Sequence, residues 1–278
     1  MPTDRIHTAS SADGTEIAAR VHGDGPPVVL LPGGPGDGEI SWQTLLPHLA
    51  EHFTCYPVST RNRGLSGKSD DCSFELLETD LRSFVDSIGE PVGLIAWSSS
   101  APMVLETAAR SDVVSAVAIH EPTFLDQRSP DVEARHQDAL ERLIPAVEED
   151  RLVDAARIFY EGLGMASDEE LAGLEELGTF EASAPNIPVM VEEALVGAVG
   201  QMSDNALLAE VSAPVLLLTG SESQPYYSGV VRYVADQVPD ARVRELPGVG
   251  HFAPALAPEL VAGELVDFFD EVGLAHAR

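Results

Sequence analysis

Lysine is almost missing from this chain. Of its sixteen basic residues only Lys68 is a lysine and fifteen are arginines, against 46 aspartates and glutamates, for a formal charge of −30. So negative a surface repels nucleic acid and the anionic face of a membrane alike, and neither is an expected partner. Long apolar runs are missing too. Stretches such as "PVVLLPG" and "PVLLLTG" have strand length, far short of the roughly 20 residues a membrane-crossing helix needs. The opening residues contain no basic start followed by an apolar stretch and a small-residue cleavage site, so no secretory leader is expected. Cysteine is scarce: Cys55 and Cys72 fall in no CxxC or Cys/His spacing. That argues against a disulfide framework and predicts two reduced structural thiols in a cytoplasmic protein.

What is present suits a folded enzyme-sized chain. With 278 residues, 44% of them hydrophobic, a sizeable core is available. The acid excess is expected of a chain adapted to high salt, where counter-ions cut the range of self-repulsion to roughly 3 Å at molar ionic strength. Strand-length apolar runs alternate with amphipathic helical stretches, which predicts an α/β fold with an eight-stranded, mainly parallel sheet flanked by helices. The expected strands are "IHTAS", "EIAARVH", "PPVVLLP", "TCYPVST", "VGLIAW", "VVSAVAIH", "APVLLLTG" and "ARVRELPG". Helical periodicity marks "WQTLLPHLAEH", "FELLETDLRSFVDSIG", "SSAPMVLETAAR", "SGVVRYVADQV" and "PELVAGELVDFFDEVG". The alternation breaks once, where several helices and no strand occur. Residues 1–122 and 209–278 are therefore expected to form the core, and 123–208 an inserted helical cap folding as a lid over the strand ends.

"LIAWSSSAP" carries the chemistry. Its strand-turn-helix position is where a sharp turn lifts a serine Oγ clear of the sheet as a nucleophile. In a GxSxG frame Ser98 takes the nucleophile position, with Ala96 and Ser100 at the glycine positions; framing on Ser99 or Ser100 would place Trp97 or Pro102 there. The alternative is a serine cap on an ordinary helix. After the third strand, "LLPGGPGDG" lets backbone approach a ligand, and the amides of Gly34 and Ser99 are the candidate oxyanion-hole donors. "LPGVGHFAP" follows the last strand and puts His251 level with Ser98.

Taken together these segments resemble the α/β-hydrolase superfamily with a helical cap, along nearly the whole chain. "LLPGGPG" resembles its HGxP oxyanion loop, with Pro32 replacing histidine. "STRNRGLSGKS" resembles DxRGxGxS, with Ser59 for Asp and Asn62 for Gly. "AWSSS" resembles GxSxG, and "PGVGH" the loop carrying the catalytic histidine. The resemblance implies a Ser-His-acid mechanism, yet the family's usual acid position after "APVLLLTG" holds Ser223. Some members place the acid after the preceding strand, where Glu121 stands; Glu222, one residue early, is the other candidate, and a dyad without an acid is the third. His120 is expected to line the pocket or pack.

The expected function is hydrolysis of a small ester or related acyl substrate by Ser98, His251 and Glu121 through an acyl-enzyme, with no metal or organic cofactor. Trp97 is the expected substrate-binding neighbour of the nucleophile; Trp42, Phe124, Phe159, Tyr160 and Met165 are candidates for an apolar acyl or alcohol site under the cap. The "GGPG" loop also resembles that of proline iminopeptidases, which would require a cap carboxylate to bind the substrate's free amine. A receptor-like protein that binds a small molecule without turnover is the rival outside enzymology.

Overall fold

The computed structural model describes residues 5–197, 201 and 204–274. Eight strands appear among them, divided between two sheets. β1 (Ile6–Ser10) and β2 (Glu16–Arg20) form an antiparallel hairpin, joined by the turn residues Ser11 to Thr15. β3 (Pro27–Leu31), β4 (Thr54–Pro57), β5 (Val92–Trp97), β6 (Val114–His120), β7 (Val215–Gly220) and β8 (Ala241–Leu246) make a parallel sheet in the order β4-β3-β5-β6-β7-β8. The sequence predicts one sheet of eight strands; here the hairpin reaches the β4 edge only through single bridges, Ala19 to Val58 and His22 to Cys55. Parallel pairing requires a crossover after each strand, and the chain supplies one. Strands β3, β5 and β7 are buried at every position, consistent with a sheet covered on both faces.

Helices follow in chain order: α1 (Leu46–Leu49), α2 (Phe74–Ile88), α3 (Ala101–Arg110), α4 (Pro130–Glu148), α5 (Leu152–Ile158) and α6 (Asp168–Glu176). After them come α7 (Thr179–Ser183), α8 (Ile187–Leu195), α9 (Asn205–Glu210), α10 (Pro225–Gln237), α11 (Ala253–Leu256) and α12 (Pro258–Glu271). "WQTLLPHLAEH" is predicted as a helix, but only the turn of α1 is helical. Pro47 suits a helix start and not an interior, and fully buried Trp42 is held in turn conformation against Trp97, ring centroids 6.0 Å apart. The C-terminal end of the helix expected over "NIPVMVEEALVGAVG" falls at residues 198–200, outside the described residues.

Two apolar layers sandwich the sheet. One joins α2, α3 and α10 to the inner faces of β3, β5, β6 and β7; the other joins α12 and α1, with Phe53, Phe268 and Phe269 fully buried. Between β6 and β7 the described chain is helical, with α4 to α8 packed on one another. Cys55 and Cys72 are both buried free thiols, and burial pushes the Cys55 thiol up to about 12. None of the described helices is long and apolar enough to cross a membrane.

Candidate active site

Strand register alone brings two of the candidate residues together. Trp97, the last residue of β5, pairs with His120, the last of β6, so Ser98 and Glu121 are the next residues on neighbouring strands. Both adopt the left-handed conformation that L-residues avoid, with φ 60° at Ser98 and 48° at Glu121. Such strain costs of order 1–3 kcal/mol per residue and persists where surroundings enforce it. At Ser98 the enforcing neighbour is the β3 loop: a Cβ on Gly33 would meet the Trp97 carbonyl oxygen at 2.6 Å, so only glycine lets the two loops close. Ser100 completes the turn. Its Oγ accepts from the Trp97 amide at 3.2 Å and donates toward the Leu31 carbonyl at 3.2 Å, which a glycine at this position could not do.

His251, on the loop after β8, bridges the two. Its Nε2 lies 3.2 Å from Ser98 Oγ, and its Nδ1 2.7 Å from Glu121 Oε2. A carboxylate only accepts, so Nδ1 carries the proton and Nε2 is left with a lone pair facing the serine hydroxyl. Glu121 is fully buried, and its other oxygen accepts from Thr219 Oγ1 and the Gly220 amide, each at 2.9 Å. Burial by itself would raise its pKa; the hydrogen bond from His251 and the nearby imidazoles outweigh it and hold the carboxyl at about 2. Glu222 is not part of this chain. It is exposed, with Oε1 taken by Ser221 Oγ at 3.3 Å.

The histidine itself is held from three sides. Its backbone carbonyl accepts from Trp97 Nε1 at 3.0 Å and His120 Nε2 at 3.1 Å. Tyr227 of α10 stacks on its ring, and the Tyr227 hydroxyl donates to the Gly164 carbonyl at 2.8 Å. His120 therefore packs and does not line the pocket; burial pushes its imidazole down to about 4. Donor atoms of His120, Glu121 and His251 lie within 4.8 Å of one another, as in a metal set. Both Glu121 oxygens are already accepting, however, and a proton sits on the His251 nitrogen facing it, a poor fit to a cation.

Gly34 and Ser99 lie on the other side of Ser98. The Gly34 amide donates to Ser99 Oγ at 3.0 Å, so that hydroxyl marks the place of an acceptor at this amide. Gly34 has φ 51°, and its carbonyl accepts from Arg63 Nη1 at 3.1 Å. Arg63 in turn forms a buried ion pair with Glu193 of α8. Arg61 is the neighbouring clamp: fully buried, it grips both Asp80 oxygens at 2.7 Å and also reaches Asp13.

Ser98 opens into a cavity of about 320 Å³ between the sheet ends and the helical block. Trp97, Phe159 and Tyr160 line it, the latter two from a π-helical turn, Phe159–Leu163. Trp42, Phe124 and Met165 do not: all three are core side chains, buried against the sheet layers. Sequence shows that an aromatic is near a strand end, not which way it turns. Among the described lining residues there is no aspartate or glutamate. A more open depression of about 410 Å³, lined by His22, Glu39 and Leu46 among others, holds no nucleophile.

Comparison with known proteins bears on this geometry. A model of the "Alpha/beta hydrolase family" matches residues 28–264. Among solved structures, an alpha/beta hydrolase from Sphaerobacter thermophilus DSM 20745 shares 28% identity over 95% of this chain and 100% of its own, with TM-score 0.77. The esterase RhEst1 from Rhodococcus sp. ECU1013 shares 21% over 96% and 99%, TM-score 0.73. A bromoperoxidase from Bacillus anthracis shares 19% over 96% and 100%, TM-score 0.71. The last two speak to the fold alone. No curated protein matches the chain significantly.

Proposed function

Because the chain belongs to the alpha/beta hydrolase family, we propose that it is a serine hydrolase that cleaves a small ester or related acyl compound through an acyl-enzyme. One observation carries the reading: the unbroken line Ser98, His251, Glu121, with contacts of 3.2 and 2.7 Å. Ser98 Oγ attacks the acyl carbon while His251 Nε2 takes its proton, and Glu121 keeps the imidazole in the tautomer that can do so. The tetrahedral oxyanion sits between the amides of Gly34 and Ser99, after rotation of the Ser99 side chain frees the first of them. Collapse breaks the bond to the leaving alcohol, which receives the proton from His251. Water then attacks the acyl-enzyme by the same route and releases the acid.

The block 123–208 serves in this reading as a lid. Its Phe159, Tyr160, Leu163 and Met190 supply wall to the cavity over Ser98 and limit its contact with bulk solvent. At about 320 Å³ the cavity lies at the small end of ligand sites, which run roughly 300–1,000 Å³, and this favours a short substrate. The carboxylate-free lining favours an ester over a peptide with a free N-terminal amine, since such an amine needs a buried counter-charge. Intact-mass analysis after fluorophosphonate treatment tests the proposal. One adduct on the wild type and none on Ser98→Ala is the expected result. An unlabelled wild type would overturn it in favour of a protein that binds without turnover.

A further inference from the structure

Away from Ser98, the cavity wall changes character. Most of it is apolar, but Arg128, just before α4, and His136, within α4, belong to the same wall. His136 is 5% exposed and neither of its ring nitrogens makes a hydrogen bond of normal geometry among the described residues, with the Leu163 backbone beside the ring. Arg128 Nε is likewise buried without a partner, while Nη1 meets the half-exposed Glu133 at 3.3 Å. Unmade hydrogen bonds on buried nitrogens are costly, of order 1–3 kcal/mol each; these nitrogens are sealed from solvent, but the side chains that carry them stand in the cavity wall, where an occupant that turns them inward would satisfy them.

The charge balance says what kind of occupant. In a chain where acids outnumber bases 46 to 16, the described lining holds one arginine and no acid. Net charge acts at range and is screened within about 8 Å at physiological ionic strength, so the wall decides what the cavity holds. Burial, then the Arg128 charge, push the His136 imidazole down to about 4, so it stands neutral beside the guanidinium with one N–H to give. A guanidinium and a neutral N–H donor together match a carboxylate, which accepts on both oxygens.

We propose that Arg128 and His136 form a carboxylate subsite, and that the substrate is a small ester carrying a free carboxylate at the end remote from the ester bond. The ester half of this statement rests on the serine-hydrolase reading; the carboxylate half does not. Both groups fit the one cavity, with the apolar stretch of Leu140, Phe159 and Leu163 suited to the chain joining them.

Calorimetric titration of Ser98→Ala, which does not consume ligand, compares monomethyl glutarate with methyl pentanoate, the same length without the charge. Binding of the glutarate ester roughly tenfold or more tightly is expected. That preference should disappear in Ser98→Ala/Arg128→Gln and shrink in Ser98→Ala/His136→Leu. Equal binding of the two esters, or a preference that survives Arg128→Gln, overturns the subsite, and the first of these readings needs no second substitution to fold. Fluorophosphonate labelling of the wild type in parallel reads the serine alone: an unlabelled wild type whose Ser98→Ala variant still prefers the glutarate ester sinks the hydrolase reading and leaves the subsite standing.

Discussion

Tyr227 lies flat against His251, the ring centroids 3.8 Å apart and the planes 7° from parallel. The stack fixes the imidazole plane that meets both Ser98 and Glu121, and its π face favours the imidazolium that forms during proton transfer. Tyr227→Leu should lower kcat about fivefold, equivalent to roughly 1 kcal/mol, with little change in KM. Tyr227→Phe keeps the ring and should keep most of kcat, losing only the bond to Gly164. Steady-state kinetics on a p-nitrophenyl ester measure both, and equal losses in the two variants would shift the role from ring to hydroxyl.

Only one of the three consecutive serines carries the strained φ and faces His251 Nε2. Ser98→Ala should abolish turnover of p-nitrophenyl acetate or butyrate, while Ser99→Ala and Ser100→Ala leave substantial activity. Ser99→Ala also removes the acceptor now held by the Gly34 amide. An inactive Ser99→Ala beside an active Ser98→Ala would show that the turn presents a different hydroxyl.

For the acid, the expected contrast is between rate and stability. Glu121→Gln should keep the fold and lower kcat strongly, by about 10⁴-fold if it follows the comparable change in a serine protease. Glu222→Gln, on an exposed side chain away from His251, should be nearly silent. Measuring kcat and Tm for both variants separates the roles: a destabilised but fully active Glu121→Gln would make that carboxylate structural.

Protonation links the site to stability. His120 and His136, pushed down to about 4 chiefly by burial, bind a proton more weakly folded than unfolded. Their contribution is present above about pH 6.5 and is lost as pH falls toward 4. Glu121, held at about 2, adds a contribution present above its ordinary value of 4.5 and lost as pH falls from there toward 2. The Tm of the wild type minus that of His136→Leu should therefore fall between pH 7 and pH 4. A gap independent of pH would remove His136 from this account.

Salt should act in the opposite sense to its effect on isolated ion pairs. Surface pairs such as Arg151–Glu149 and Arg157–Glu175 weaken on screening, but exposed pairs of this kind contribute little to begin with. Repulsion within a chain of charge −30 is relieved at the same time. Tm is expected to rise steeply from dilute buffer to molar KCl. A flat profile would leave the acid excess without a stabilising role at high salt.

Periodicity made the main sheet legible, since its buried strands are continuous apolar runs and β3, β5 and β7 fall within those runs; β1 and β2 were legible instead from the turn residues between them. Ser98 and His251 were legible for a related reason: Ser98 follows directly on β5 and His251 stands at the end of the short loop after β8, and such positions have few places to go. Glu121 was harder, because "HEP" after β6 and "SES" after β7 offer equivalent carboxylates, and only the pairing of Trp97 with His120 puts one beside Ser98. Tyr227, Arg63 and the pair Arg128 and His136 carried no local signal at all. A tyrosine inside an amphipathic helix and a second arginine in "STRNRG" look like ordinary packing until elements distant in sequence meet. The same holds for Trp42, Phe124 and Met165, which pack inward.

Arg63 gives the molecule a property that bears on its engineering. One guanidinium holds the Gly34 carbonyl on the core side and Glu193 of α8 on the other, the first contact partly buried and the second fully so. Exchanging residues 123–208 for the corresponding segment of another protein would leave that guanidinium without its counter-charge, at a cost of about 3–5 kcal/mol for a broken buried pair. The block is thus not an interchangeable module: any chimera that keeps this core has to bring a carboxylate to the place of Glu193, or replace Arg63 along with the segment it was matched to.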